Sequence, residues 1–551
     1  MDWTLKRLQT FSGPTGPVVT CVMDGVGLGK EDESDAVFMA RKPNYEFLKQ
    51  NALYTTLRAH GVAVGMPSDA DMGNSEVGHN ALGAGRVYDQ GAKLVQNAVD
   101  NGTLFQSEAW RACTERVRSS GQPLHFIGLL SDGNVHSHIE HLKAMLVTAD
   151  REGVQAARIH VLLDGRDVPE TSGLVYLDEL ESLLTSLRDK GRDYFIASGG
   201  GRMKVTMDRY EAEWHMVETG WKTHVLGQGR GFRSAREAVE TFRAETPGIG
   251  DQNLPAFVVV DEKGQPRGPI RDGAAVIFFN FRGDRAIEIT QAFEQEVFTK
   301  FDRGQRPDVV YAGMMQYDGD LKLPRLFLVS PPAISESSGE YLAHNQISQF
   351  AISETQKYGH VTYFWNGNRS GMFDSKYETY VEIPSDTLPF EERPWMKAAE
   401  ITDRLLKELE TGKHKVARLN YANGDMVGHT GVRDAAILAV EAVDLELRRL
   451  IQFTERANGI LIVTADHGNA DEMFDHNKDG SIAKDATGRP KPKTSHTLNK
   501  VPLFIYAPGQ KGIALDSTVQ NPGLGNIAAT MFNLLGYQAP DDYMQSLVRF
   551  G

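Results

Sequence analysis

Apolar residues along this chain fall in short continuous runs, each ending at an acidic residue, a glycine or an arginine. The runs include PVVTCVMDGVG (17–27), LHFIGLLSDG (124–133), RIHVLLDGRD (158–167), DYFIASGGG (193–201) and AAVIFFNFRGDR (274–285). Later come KVARLNYANGDMVGH (415–429), GILIVTADHG (459–468) and VPLFIYAPG (501–509). Short apolar runs bounded by turn residues read as buried strands. Between them, SGLVYLDELESLLTSLRDKG (172–191) and DLELRRLIQFTERAN (444–458) carry the apolar spacing of amphipathic helices. Alternation of the two predicts an α/β fold with mostly parallel sheets. In such sheets ligands gather beyond the carboxyl ends of strands, which is where the polar motifs fall.

Two stretches read as linkers, RVYDQGAK (86–93) and QYDGDLKLPRL (316–326). They predict linkers near 89–91 and 318–321. One discontinuous domain then covers 1–88 and 322–551, and a second, inserted domain covers 92–317. No internal repeat or low-complexity tract interrupts this plan.

Composition narrows the function. The chain has 551 residues, 41% hydrophobic and 24% charged, as soluble globular proteins have. A formal net charge of −14 argues against nucleic acid as a partner, since phosphate backbones recruit basic surfaces. It leaves room for a small anionic substrate held by local arginines. Two cysteines, Cys21 and Cys113, make neither a disulfide framework nor a cysteine-based zinc site. No membrane span and no signal peptide is expected, so the expected compartment is the cytosol.

The polar motifs form two sets. The first offers metal ligands: Asp24 in VMDG, Asp425 and His429 in NGDMVGH, Asp466 and His467 in TADHG, and His496 in KTSHTLNKVP. A strand-end Asp is often only a turn residue, and a lone His is more often structural than a ligand. Together, three carboxylates and three histidines suffice for two divalent cations of the manganese, zinc or cobalt kind. Two metals roughly 4 Å apart clamp phosphoryl oxygens, and a metal lowers the pKa of a bound hydroxyl. That would activate Ser75 in DMGNSEVGHN, which is not the G-x-S-x-G elbow of hydrolases. His79, four residues on, is the alternative base, with a structural role the better reading for it.

The second set offers anion clamps: SDGNVHSH (131–138), DGRD (164–167), GGGRMKVTMDR (199–209) and NFRGDR (280–285). Arg166, Arg202, Arg209, Arg282 and Arg285 would bind carboxylate or phosphate in bidentate fashion. The competing reading pairs them with Asp164, Asp167, Asp208 and Asp284 as structural ion pairs. Asp167 is a candidate acid/base and His136 a candidate proton donor or phosphate contact. GVGLGK (25–30) lacks the G-x-x-x-x-G-K-[ST] spacing, so no NTPase loop is read there.

In order along the chain, MDGVG, MGNSEVGH, SDGNVHSH, DGRD, FNFRGDR, NYANGDMVGH, TADHGNAD and SHTLNKVP resemble the cofactor-independent phosphoglycerate mutases, members of the alkaline-phosphatase-like metalloenzyme superfamily. The resemblance covers essentially the whole chain and is similar to the plant and trypanosomatid type. GRMKVTMDR reads one residue longer than the family's form, and the segment 476–496 is extended. The resemblance implies an alkaline-phosphatase-like domain bearing the metals, split by an inserted transferase domain. It implies interconversion of 3-phosphoglycerate and 2-phosphoglycerate without bisphosphoglycerate, in glycolysis and gluconeogenesis. One metal would be held by Asp425, His429 and His496, the other by Asp24, Ser75, Asp466 and His467. Manganese is the first choice of ion, with cobalt, magnesium or zinc as alternatives. Ser75 would carry the phosphoryl group, and Asp167 would move protons. His136, Arg166, Asp167, Arg202, Arg209, Arg282 and Arg285 would hold the glycerate, and Lys357 in SETQKYGHV would contact phosphate. A monomer is expected. A phosphatase or phosphopentomutase of the same superfamily is the nearest rival, and a non-catalytic binding protein the rival from another class.

Overall fold

The computed structural model describes residues 3–66, 69–208, 213–317, 322–330, 332, 334–477, 479–484 and 488–551. The chain divides into two compact units, Met1–Gln90 with Pro332–Gly551, and Gly91–Pro331. The expected linker 318–321 and Arg209 lie outside the described residues.

Fourteen strands build two seven-stranded sheets. In chain order they are β1 (Val18–Met23), β2 (Leu53–Leu57), β3 (Leu124–Leu130), β4 (Ala156–Leu163), β5 (Asp193–Gly201), β6 (Arg230–Phe232) and β7 (Phe257–Val259). Then follow β8 (Ala275–Phe278), β9 (Val310–Gly313), β10 (Gln349–Glu354), β11 (Glu378–Ile383), β12 (Val416–Tyr421), β13 (Ile460–Thr464) and β14 (Val501–Tyr506).

The first unit holds a sheet of order β11-β10-β12-β1-β13-β14-β2. Its first five strands run parallel, and β14 is antiparallel to β13 and to β2. Strands β1, β12 and β13 are buried at every residue, as central strands covered by helices on both faces must be. The second unit holds a sheet of order β6-β7-β5-β4-β3-β8-β9, parallel except that β7 runs against β5. Each unit has its own buried apolar core. The fold is therefore α/β, with two mostly parallel sheets flanked by helices.

All eight apolar runs named above contain a strand, and the two amphipathic stretches fall in the helices Gly173–Arg188 and Arg433–Ala457. None of the helices among the described residues is long and apolar enough to cross a membrane.

Candidate functional site

In the first unit the carboxyl ends of adjacent parallel strands bring the expected ligands together. Asp24 follows β1, Asp425 lies in the helix Asn423–Gly428 after β12, and Asp466 and His467 follow β13. Gly25 is required here: its φ is +74°, and a Cβ would lie 2.5 Å from the Asp425 nitrogen. Ser75 opens the helix Ser75–Ala84, capped by Asn74, whose side chain accepts from the Val77 N–H at 3.0 Å. Lys357 arrives from the helix that follows β10, and His496 from the segment before β14.

Ser75 Oγ lies 2.9 Å from His467 Nε2 and 3.2 Å from Asp24 Oδ1, and accepts from Lys357 Nζ at 2.5 Å. The lysine also donates to Asp425 Oδ2 at 2.7 Å and to Asp24 Oδ1 at 3.1 Å. His429 Nε2 and His496 Nε2 each lie 3.1 Å from Asp425 Oδ1, and 3.1 Å from one another. Two buried donor groups, Asp425 with His467 and His496, and Asp24 with Asp466 and His467, each keep their ligand atoms within 4.8 Å. His467 thus faces both groups, where the sequence reading assigns it to one.

Burial, then the charge of Asp466, pushes Asp24 up to about 6, while Lys357 opposes the rise. Burial would also raise Asp425, but Lys357 and His429 outweigh it and hold that carboxyl well below its ordinary range. Burial would lower Lys357, yet the three carboxylates keep it raised and protonated. Burial and His467 push His496 down to about 3, so it is neutral with a lone pair to offer. The donor set fits divalent cations: buried oxygen and nitrogen donors whose carboxylate charge exceeds the single ammonium among them. Asp466 Oδ2 has no hydrogen-bond partner among the described residues; His79 Nδ1 lies 3.3 Å and His467 Nε2 3.7 Å from it, and the His79 N–H points instead to the Ser75 carbonyl at 2.8 Å.

His79 therefore does not face Ser75 Oγ. Its Nε2 accepts from Asn420 Nδ2 at 3.1 Å, and the same amide donates to Asp24 Oδ2 at 2.7 Å. Asn420 and Asn469, which donates to Asp425 Oδ1 at 3.2 Å, were not singled out from sequence. For Asn420 the available signal was an amide inside a strand buried at every residue, and for Asn469 its place just after the TADHG motif.

In the second unit, the loops after β3, β4, β5 and β8 carry the clamp residues. Arg202, 1% exposed, donates through Nη1 to Asp164 Oδ1 at 2.9 Å and pairs with Asp167. Asp164 also accepts from the Arg166 and Asp167 backbone N–H groups, at 3.2 and 3.1 Å, and from Ser131 Oγ at 2.6 Å. Arg285 Nη1 donates to the Met207 carbonyl at 2.7 Å, tying the β8 loop to the β5 loop. The Phe281 N–H donates to the His136 carbonyl at 2.8 Å, tying the β8 loop to the β3 loop. His136 is buried, Arg166 is exposed and Arg282 is half-buried. Arg202 thus has the ion pairs of the competing reading.

The Metalloenzyme superfamily model matches residues 16–539. A probable 2,3-bisphosphoglycerate-independent phosphoglycerate mutase of Leptospira interrogans is 55% identical over 547 residues, 99% of this chain and 100% of that protein. The 2,3-bisphosphoglycerate-independent phosphoglycerate mutase of Trypanosoma brucei brucei is 51% identical, covering 100% of both chains. A crystal structure of Leishmania mexicana phosphoglycerate mutase at low cobalt concentration has 51% identity and a TM-score of 0.76, over 99% of this chain and 100% of that one. By family match, identity and full-length coverage, the chain belongs to the 2,3-bisphosphoglycerate-independent phosphoglycerate mutases of the Metalloenzyme superfamily.

Proposed function

We propose that this protein interconverts 3-phosphoglycerate and 2-phosphoglycerate by carrying the phosphoryl group on Ser75, with no bisphosphoglycerate. The observation that carries this reading is the setting of Ser75 Oγ, at hydrogen-bond distance from Lys357, His467 and Asp24 at once. Asp425, His429 and His496 would hold one divalent cation, and Asp24, Ser75, Asp466 and His467 the other. Bound there, such ions supply Lewis acidity toward phosphoryl oxygens and the serine hydroxyl.

Ser75 Oγ, which enters and leaves the cycle as the alkoxide, attacks phosphorus in line, the bond from phosphorus to the C3 oxygen breaks, and that oxygen takes a proton. Asp167 supplies this proton and accepts one from the C2 hydroxyl, which then attacks the phosphoserine and releases Ser75 Oγ. Lys357 neutralises charge on the transferring group. Arg202, Arg282 and Arg285, with Arg166, Arg209 and His136, hold the glycerate carboxylate and hydroxyls between the two transfers. Manganese is the proposed ion, with cobalt, magnesium and zinc as alternatives; the mixed oxygen and nitrogen donors suit all but discriminate weakly. A cytosolic monomer is the proposed working form.

The test is acid quenching during turnover, followed by mass spectrometry. A phosphorylated peptide containing Ser75 is expected. Its absence while 2-phosphoglycerate accumulates would sink the covalent step.

A further inference from the structure

The second sheet hides a polar row that the proposed chemistry does not use. His125 in β3, His160 in β4 and Ser198 in β5 occupy positions inside apolar runs, and all are buried. His125 Nδ1 lies 2.9 Å from His160 Nε2, and His160 Nδ1 lies 2.7 Å from Ser198 Oγ. Ser198 Oγ lies 2.7 Å from His224 Nδ1, and His224 Nε2 lies 3.0 Å from Thr206 Oγ1. His224 sits in Trp221–Val225, where the helix Trp214–Gly220 widens into a π turn, a feature common at functional sites.

A neutral imidazole has one donor and one acceptor nitrogen, so the row has a direction. His125 Nε2 has no hydrogen-bond partner among the described residues. If the row donated toward His125, that nitrogen would be a buried N–H without an acceptor, the rarer and costlier orphan. The row therefore donates from His125 toward Thr206. Burial pushes His125 and His224 down to about 3, which keeps them in the neutral form the row requires.

Thr206, at the end of the row, has φ +71°, a left-handed backbone that a β-branched residue rarely adopts. Its side chain fits because Gly220 has no Cβ; one there would lie 2.0 Å from Thr206 Oγ1. The next residue, Met207, offers the carbonyl that accepts from Arg285, and the loop begins at Arg202, paired with Asp164 and Asp167. We infer that Thr206 is a positioning residue, locked by His224 so that the 202–208 loop, through the Met207 carbonyl, aims Arg285 at the glycerate. This rests on the proposed role of that arginine.

The experiment is steady-state kinetics of the metal-loaded full chain with 3-phosphoglycerate. Thr206→Val, which removes the hydroxyl but keeps the branch, is expected to raise KM about tenfold, with a smaller change in kcat. Metal content should be unchanged. Thr206→Ser is expected to restore KM to within about twofold. Arg285→Ala should raise KM, and adding Thr206→Val to it should change KM by less than about twofold. If Arg285→Ala leaves KM unchanged, the arginine reading fails. If it raises KM but Thr206→Val does not, or the two factors multiply, the arginine reading stands and the positioning role is overturned. His224→Asn, too short to reach Thr206, tests the same bond from its other partner. It must reproduce the KM increase, including where Thr206→Val fails to fold.

Discussion

The two sheets solve one problem with opposite charge. In the first unit the strand ends gather Asp24, Asp425 and Asp466, all buried, around a single lysine. Such a cluster demands further cations, because unpaired buried carboxylates are costly. In the second unit the strand ends gather arginines, and Arg202 already has two carboxylate partners. There the sheet interior below the site is spanned by neutral histidines rather than by charge. A parallel sheet offers the same crevice in both cases. What differs is the sign of the residues placed there, and with it whether the proposed ligand is a metal ion or an organic anion.

The largest test of that division is Ser75→Ala. If the first unit holds the reacting oxygen, turnover should fall by about 10⁴-fold or more, read by a coupled assay of 2-phosphoglycerate formation. Substantial residual mutase activity would break the assignment. Next comes Asp167→Asn, expected to lower kcat by about 10²–10⁴ with metal content unchanged by elemental analysis. Loss of metal on this change would place Asp167 on the wrong side of the comparison.

Asn420→Ala should act in reverse. It removes the amide that donates to Asp24 and orients His79. Metal affinity should weaken about 10–100-fold, measured by competition with a chromogenic chelator, with KM little changed once metal is saturating.

The smallest effect concerns pH. His125 and His224 are held near 3 and His160 well below 6.5, by burial first and also, for His125 and His160, by the Arg158 charge. The unfolded chain therefore binds protons at higher pH than the folded one. The stability gained from keeping these rings neutral is present above pH 6.5 and is lost as pH falls toward 3. Each ring costs up to about 1.4 kcal/mol per pH unit below its unfolded value. Hydrogen exchange in peptides from 124–130 and 193–201 should lose protection between pH 7 and pH 5. Flat protection over that range would show that the row does not stay neutral at the protein's expense.

Much of this was legible along the chain, because strands covered on both faces read as continuous apolar runs and their ligands follow within a few residues. Asp24, Asp425 and Asp466 could be named that way. Strands β2, β6 and β11 could not: they are short or partly exposed, and carry no such run. Strands β7 and β9 do lie in short apolar runs, AFVVV (256–260) and VVYAGMM (309–315), but with no ligand motif directly after them to draw the eye. Strand β10, though buried, begins and ends in polar residues, which masks it as well.

The sequence by itself determined the α/β class, the strand-end motifs and the two chemical sets, since those signals lie between near neighbours. Only the tertiary structure decided that His79 turns to the Ser75 carbonyl, that His467 faces both donor groups, and that Asn420 braces Asp24. It alone joined His125, His160, Ser198, His224 and Thr206 into one row. The reason is physical: such contacts depend on the register of strands brought together from distant parts of the chain, which no local pattern encodes.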